Sequence, residues 1–260
     1  MESAAIEKFA LSVTVPIFLE MGDWGGLLAT GTLFKIDERA FLITARHIFD
    51  DVQDASKLAY PENPLRGGLY TFGSINILKP TEEHIDVAAI ELLSPETVQR
   101  LNANWKFLGL ANVASASMTT SDGSCFVSGY PESLTQNVQG WTKGKFVTAY
   151  TQRFHDVPPE ARLPVIPDLD LFFDYSDEGT SITGETVQTP ELPGVSGASI
   201  WELVSSTSSV WSPEAVTRVV GIQSAYVHSK YIRAKSWWAV AKVLEQADEQ
   251  LAIAIRRKLN

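Results

Sequence analysis

A chain of 260 residues, 45% hydrophobic and 20% charged, has the composition of an ordinary globular protein with a sizeable core. Its formal net charge of −10 argues against a broad nucleic-acid-binding face and leaves room only for a local basic patch. A single cysteine, Cys125, excludes an intrachain disulfide and suits a reducing compartment.

The N-terminal stretch "MESAAIEKFALSVTVPIFLEMGDW" holds an apolar run from Leu11 to Leu19, preceded by Glu2 and Glu7 and interrupted by Pro16. A signal peptide needs a basic start and a longer apolar core, so the run reads as a first β-strand and a cytoplasmic location is expected. No stretch approaches the ~20 apolar residues of a membrane span, so no membrane association is expected. Onward to residue 230 the chain is a succession of short β-like runs. They are "SVTVPIFL", "GLLATGTLFKI", "AFLITA", "LYTFGSINIL", "DVAAIEL", "SCFVSGY", "GKFVTAYTQRF", "DLDLFFDY", "GASIWEL" and "RVVGIQSAYV". Turn residues separate them at the spacing expected of sandwiches and barrels.

Two segments break this pattern. "DDVQDASKLAYPENPLRGG" (Asp50 to Gly68) reads as a loop with a helical turn. "SPETVQRLNANWKFLGLANVASASMTTSDG" reads as a connector between two β subdomains, with the boundary at residues 105–120. From Ser236 the character changes again. Trp237, Val240, Ala241, Leu244, Ala247, Leu251, Ala254 and Ile255 recur at three- and four-residue spacings, which makes one apolar helical face over residues 236–258. Ser236 suits the N-cap, and Arg256, Arg257 and Lys258 suit the negative end of the helix dipole. This helix is expected to pack on the β subdomains; a docking face for a partner is the alternative.

Three stretches carry candidate chemistry: "FLITARHIFDD" with His47, "HIDVAAIELL" with Asp86, and "PGVSGAS" with Ser196 between Gly194 and Gly197. Each alone is a weak signal, and the ordered set is far more specific. A serine hydroxyl is a poor nucleophile until a base removes its proton, and histidine titrates near neutrality. A carboxylate on the second ring nitrogen fixes the tautomer, and preorganised N–H groups stabilise the developing oxyanion. Glycine permits the positive φ angles such a turn requires.

Together these stretches resemble the trypsin-like (chymotrypsin-fold) serine peptidases, in the disulfide-free form found in bacteria. "LITARH" is similar to that family's Thr-Ala-x-His, "HIDVAAIEL" to its Asp-Ile/Val-Ala run and "GVSGAS" to its Gly-Asp-Ser-Gly-Gly-Pro. "VVGIQSAY", "VSGYP" and "GTLF" extend the likeness over residues 10–245. The resemblance implies an all-β fold of two six-stranded-type antiparallel barrels, at residues 10–105 and 120–232, with a C-terminal α-helix. It implies His47 as general acid/base, Asp86 as its orienter and Ser196 as nucleophile, with the N–H groups of Gly194 and Ser196 as oxyanion hole. It places Pro190, Glu191, Gln223, Ser224, Ala225 and Tyr226 around the substrate pocket, with Gln223 and Tyr226 as walls. Ser224 would contact the catalytic aspartate.

The chain departs from the family at Val195, which stands where digestive members have an activating aspartate. Activation by insertion of a new N-terminus is therefore not expected; the site is either preformed or ordered by a partner or substrate. Ala198 and Ser199 replace Gly-Pro. A small or polar side chain before the cut is expected, with Glu191 leaving a basic one open. The acidic segment from Asp156 to Glu191 reads as solvated surface or, more sharply, as a rim favouring basic substrates. His84, His155 and His228 lack metal-ligand spacing, and Cys125 reads as a small buried hydrophobe.

The expected function is a serine endopeptidase working through an acyl-enzyme, without cofactor or metal, on a protein or peptide substrate and with room for a regulatory protein partner. No nucleic-acid partner is expected. The alternative is a catalytically silent or partner-gated trypsin-like module that binds peptides or a protein.

Overall fold

The computed structural model describes residues 2–21, 24–115, 123–138, 141–180, 185–205 and 210–260. Helix α1 (Glu2–Val13) opens the chain. Strands β1 (Thr14–Met21), β2 (Trp24–Ile36), β3 (Arg39–Thr44) and β4 (Leu58–Pro61) follow. Next come β5 (Arg66–Gly67), β6 (Leu69–Thr71), β7 (Ile75–Leu78), β8 (Ala88–Leu92) and helix α2 (Pro95–Asn104). The second half holds β9 (Ser124–Gly129), β10 (Thr135–Val138), β11 (Trp141–Gly144), β12 (Val147–Gln152) and β13 (Asp170–Asp174). After β14 (Glu178–Thr180), β15 (Thr186–Gln188) and β16 (Ser199–Leu203) come helix α3 (Pro213–Val216), β17 (Thr217–Val227) and β18 (Tyr231–Ser236). Helices α4 (Trp237–Glu245) and α5 (Glu249–Leu259) close the chain.

The strands form two curled antiparallel sheets, the all-β two-barrel architecture expected from the sequence. The first has seven strands in the order β6-β4-β1-β2-β3-β8-β7, one more than the six-stranded type. The second has six, β12-β9-β16-β17-β18-β13, and a bridge between Arg153 and Phe173 draws its two edges together. A small sheet, β10-β11-β5, takes strands from both halves.

The apolar runs follow from burial on both faces. In β3, Ala40 and Leu42 enter the core of the first sheet, while Phe41 and Ile43 face a second cluster between the sheets. A strand covered on both sides reads as a continuous hydrophobic run. The shared cluster joins Phe34 and Phe41 to Phe126, Trp201 and Val219 of the second sheet and to the apolar faces of α1, α4 and α5. Trp201 stacks on Phe126 with rings 4° from parallel, and Trp237 meets Phe34 edge-on at 4.7 Å. The terminal helices are therefore core elements packed on the sheets.

The structure corrects several local expectations. The N-terminal strand begins only at Thr14, after α1, whose Ile6, Phe9, Ala10 and Val13 are buried. That i, i+3, i+4, i+7 pattern is helical. The connector segment opens with a helix: Ser94 caps α2 by accepting from Thr97 N–H at 3.3 Å, with Pro95 in the first turn. The helix expected over 236–258 is two helices, because Asp248 accepts from Gln250 N–H at 2.8 Å and starts α5 afresh. Ser236 makes no capping bond; its hydroxyl donates to the Asp168 carbonyl.

Strand β18, "YIRAKS", was hidden by its charges. Arg233 and Lys235 are buried around Asp170, whose carboxylate receives Arg233 Nε at 2.8 Å and Lys235 Nζ at 2.5 Å. Asp170 belongs to the acidic segment read as solvated, yet its side chain is fully buried. Its cationic partners and the Ile166 N–H outweigh burial and hold its carboxyl below the usual range. Among the described residues, no helix is long and apolar enough to cross a membrane.

Candidate active site

His47 opens a single 3₁₀ turn, His47–Phe49, just beyond the end of β3. Asp86 lies two residues before β8, the neighbouring strand, with Thr44 opposite Ala88. Strand pairing thus delivers both side chains to one rim. Asp86 accepts from the His47 main-chain N–H through Oδ1 at 2.9 Å, and its Oδ2 lies 2.8 Å from Nδ1. An ionised carboxylate only accepts, so Nδ1 carries the proton and Nε2 is the basic nitrogen. The hydrogen bond to Asp86 raises the His47 pKa above its ordinary value, against the opposing effect of burial.

Ser196 sits half-buried in the turn that precedes β16. Gly194 and Gly197 both adopt φ +88°, a conformation that suits glycine. Space imposes the same choice. A Cβ on Gly197 would lie 2.1 Å from Thr44 Oγ1 and 2.7 Å from Ala45 N, and one on Gly194 would lie 2.7 Å from the Tyr130 carbonyl oxygen. The turn is therefore pressed against the strand end that leads into His47.

Four consecutive carbonyls of this turn are held. Pro193 accepts from Glu132 N–H at 2.8 Å, Val195 from Ala198 N–H at 2.9 Å and Ser196 from Thr30 N–H at 2.9 Å. Gly194 accepts from the Thr30 hydroxyl at 2.7 Å. In a trans peptide the N–H points away from the preceding carbonyl. Fixing the Pro193 and Val195 carbonyls therefore directs the N–H groups of Gly194 and Ser196 each away from the carbonyl that precedes it. Among the described residues neither N–H has an acceptor, so two available donors flank Val195 in this turn.

His47 and Asp86 are thus bonded together, and Ser196 is brought to the same rim through Gly197. Among the described residues, no hydrogen bond links the Ser196 hydroxyl to His47. Catalytic hydrogen bonds often tighten only when substrate binds.

The residues expected around a substrate pocket are mostly committed elsewhere. Gln223 is fully buried, opposite Ala234 of the second-sheet core, and not an exposed wall. Both amide atoms lack a partner among the described residues, while its main chain bonds Gly197 and Ala198 at 2.8 Å each. The Ser224 hydroxyl donates to the Arg233 carbonyl at 3.3 Å and is not bonded to Asp86; the register shift between Gln223 and Ala225 turns it toward β18. The Pro190 carbonyl accepts from Tyr175, whose ring meets Tyr226 edge-on at 6.4 Å. Burial pushes the Tyr175 phenol up to about 12. Glu191 and Ala225 are exposed. Val195 is buried in the second-sheet core beside Leu192 and Ala198, so an apolar contact stands where an ion pair would need a carboxylate. Cys125 is buried, and desolvation pushes its thiol up to about 12.

Sequence reading missed Thr30 and Glu132, which hold the serine turn. Thr30 lies in an apolar strand where threonine is common, and Glu132 acts through its main chain, so neither leaves a side-chain motif.

No protein-family model matches the chain, and no curated protein matches it. Similarity to solved structures is broad, extending to 441 chains, so it identifies a scaffold rather than an activity. One of these comes from a study of the coupled folding and binding, driven by aromatic interactions, of the intrinsically disordered VPg protein of Sesbania mosaic virus. It covers 92% of each chain with a TM-score of 0.50 at 14% identity. At that identity the likeness shows a shared fold.

Proposed function

We propose that the protein is a serine endopeptidase of the trypsin-like type, with Ser196 as nucleophile, His47 as general base and then general acid, and Asp86 as orienter. The observation that carries this reading is the double grip of Asp86 on His47, at 2.9 Å and 2.8 Å, which leaves Nε2 basic on the rim where the Ser196 turn packs. In the first step His47 Nε2 takes the hydroxyl proton as Ser196 Oγ bonds to the substrate carbonyl carbon. The N–H groups of Gly194 and Ser196 then donate to the oxyanion. Collapse breaks the C–N bond, the leaving amine takes the proton from His47, and water repeats the sequence to release the acid. The held carbonyls of Pro193 and Val195 support a preformed oxyanion hole that needs no activating cleavage.

One observation favours a second reading. Without a Ser196–His47 hydrogen bond, the same rim suits a peptide-binding module whose site is silent or gated by a partner. Digestion of an unbiased peptide library by the wild type and by Ser196→Ala separates the two. Peptidase function predicts defined cleavage sites in the wild-type digest that are absent from the variant's. A binding module predicts no cleavage by either.

A further inference from the structure

Away from the serine turn, four cations share one concave surface. Lys8 of α1, Arg66 of β5, Lys143 of β11 and the adjacent Lys145 line a groove of about 890 Å³. Lys143 and Arg66 are directly opposed cross-strand partners, and both are exposed. Like charges in that position repel. Among the described residues none of the four forms an ion pair, and Glu7 is the sole carboxylate lining the groove. The chain carries 31 acidic and 21 basic residues, so carboxylates are plentiful elsewhere. A set of unpaired cations around a concavity leaves electrostatic repulsion that an anionic occupant would relieve.

The lining is not purely basic. Leu11, Leu65 and Phe146 contribute apolar surface to the same groove. Trp141, 59% exposed, lies two residues before Lys143 on β11, hence on the same face of the strand.

We propose that this groove binds an acidic polypeptide segment bearing aliphatic or aromatic side chains. The cations would meet its carboxylates and the apolar lining its intervening side chains. A polynucleotide fits less well, because the net charge of −10 repels a polyanion that extends beyond the groove. The inference is independent of the proposed peptidase chemistry.

The test is fluorescence anisotropy with a labelled twelve-residue peptide of Glu and Leu, and a control peptide with Lys for Glu. The full chain is expected to bind the acidic peptide, and to bind it about tenfold more weakly when salt rises from about 50 to about 300 mM. Lys143→Glu is expected to weaken binding about tenfold or more while raising Tm, because it places opposite charges across from each other on β11 and β5. Lys143→Gln provides the neutral comparison and should also weaken binding. Absence of acidic-peptide binding, or equal binding of both peptides, would overturn the proposal. So would undiminished binding by the Lys143 variants. Tighter, Lys143-dependent binding of a single-stranded oligonucleotide would overturn the choice of ligand.

Discussion

The main-chain N–H of Thr30 donates to the Ser196 carbonyl at 2.9 Å, so a strand of the first sheet holds the turn that the second sheet presents. The same residue's hydroxyl reaches the Gly194 carbonyl at 2.7 Å and accepts from Tyr130 N–H at 3.2 Å. Thr30 is thus a positioning residue at the junction of the two halves. Thr30→Val keeps the main-chain bond and removes both hydroxyl bonds. It is expected to cost about 1–3 kcal/mol of stability. Cleavage assays should show kcat reduced about 10- to 100-fold, as expected for a misplaced site, with little change in KM and recovery in Thr30→Ser.

His47 provides a pH test with a definite sign. Its bond to Asp86 raises its pKa above 6.5, and the base must be neutral to act. The acid limb of kcat/KM should therefore have its midpoint above about 6.5. The four histidines make the ring protons tractable by NMR, and Asp86→Asn should lower the His47 midpoint. For stability, a pKa raised on folding contributes fully below the unfolded value and is lost as pH rises through the folded one. Asp86→Asn should accordingly depress Tm more at about pH 5.5 than at about pH 8.5.

Gln223 is the most exposed to test by stability. A buried amide with neither atom bonded among the described residues carries a desolvation cost without a compensating hydrogen bond. Gln223→Leu is expected to raise stability by about 1–3 kcal/mol in denaturant unfolding. Unchanged or lower stability would mean that the amide is satisfied in solution.

Asp170 tests the buried ion cluster. Replacing it with alanine leaves Arg233 and Lys235 buried without their shared counter-charge. Asp170→Ala should lose about 3–5 kcal/mol, the range for breaking a buried pair. Lys235 titrates below its ordinary value because burial disfavours its charge, so Lys235→Met should be milder than Asp170→Ala.

The sequence shows the sheets well wherever β-branched and aromatic residues run together, as in "AFLIT" and "DLFFD". It conceals β18 because the ion cluster places Arg233 and Lys235 inside, where a strand pattern has no rule for them. Helix α1 was legible in its three- and four-residue spacing but was masked by the adjoining strand run. At the site, His47 and Asp86 announce themselves through local context because side-chain chemistry requires those residue types. The grip on the serine turn is made by main-chain N–H groups of Thr30 and Glu132, which almost any residue supplies, and by the Thr30 hydroxyl, which an apolar strand pattern does not single out. Ser224 departs from expectation because a register shift in β17 turns its hydroxyl toward β18, and Gln223 because its side chain is buried in the second sheet; composition reveals neither.

If His47 activates Ser196 as a nucleophile, a serine-directed phosphonylating reagent will react with that one hydroxyl. Intact mass should be measured after exposure of the full chain, Ser196→Ala and His47→Ala to a fluorophosphonate. The expected result is one phosphonyl adduct on the wild type, mapped to Ser196, with none on Ser196→Ala and greatly slowed labelling of His47→Ala. A wild type left unlabelled after long exposure, or an adduct that persists in Ser196→Ala, would contradict it.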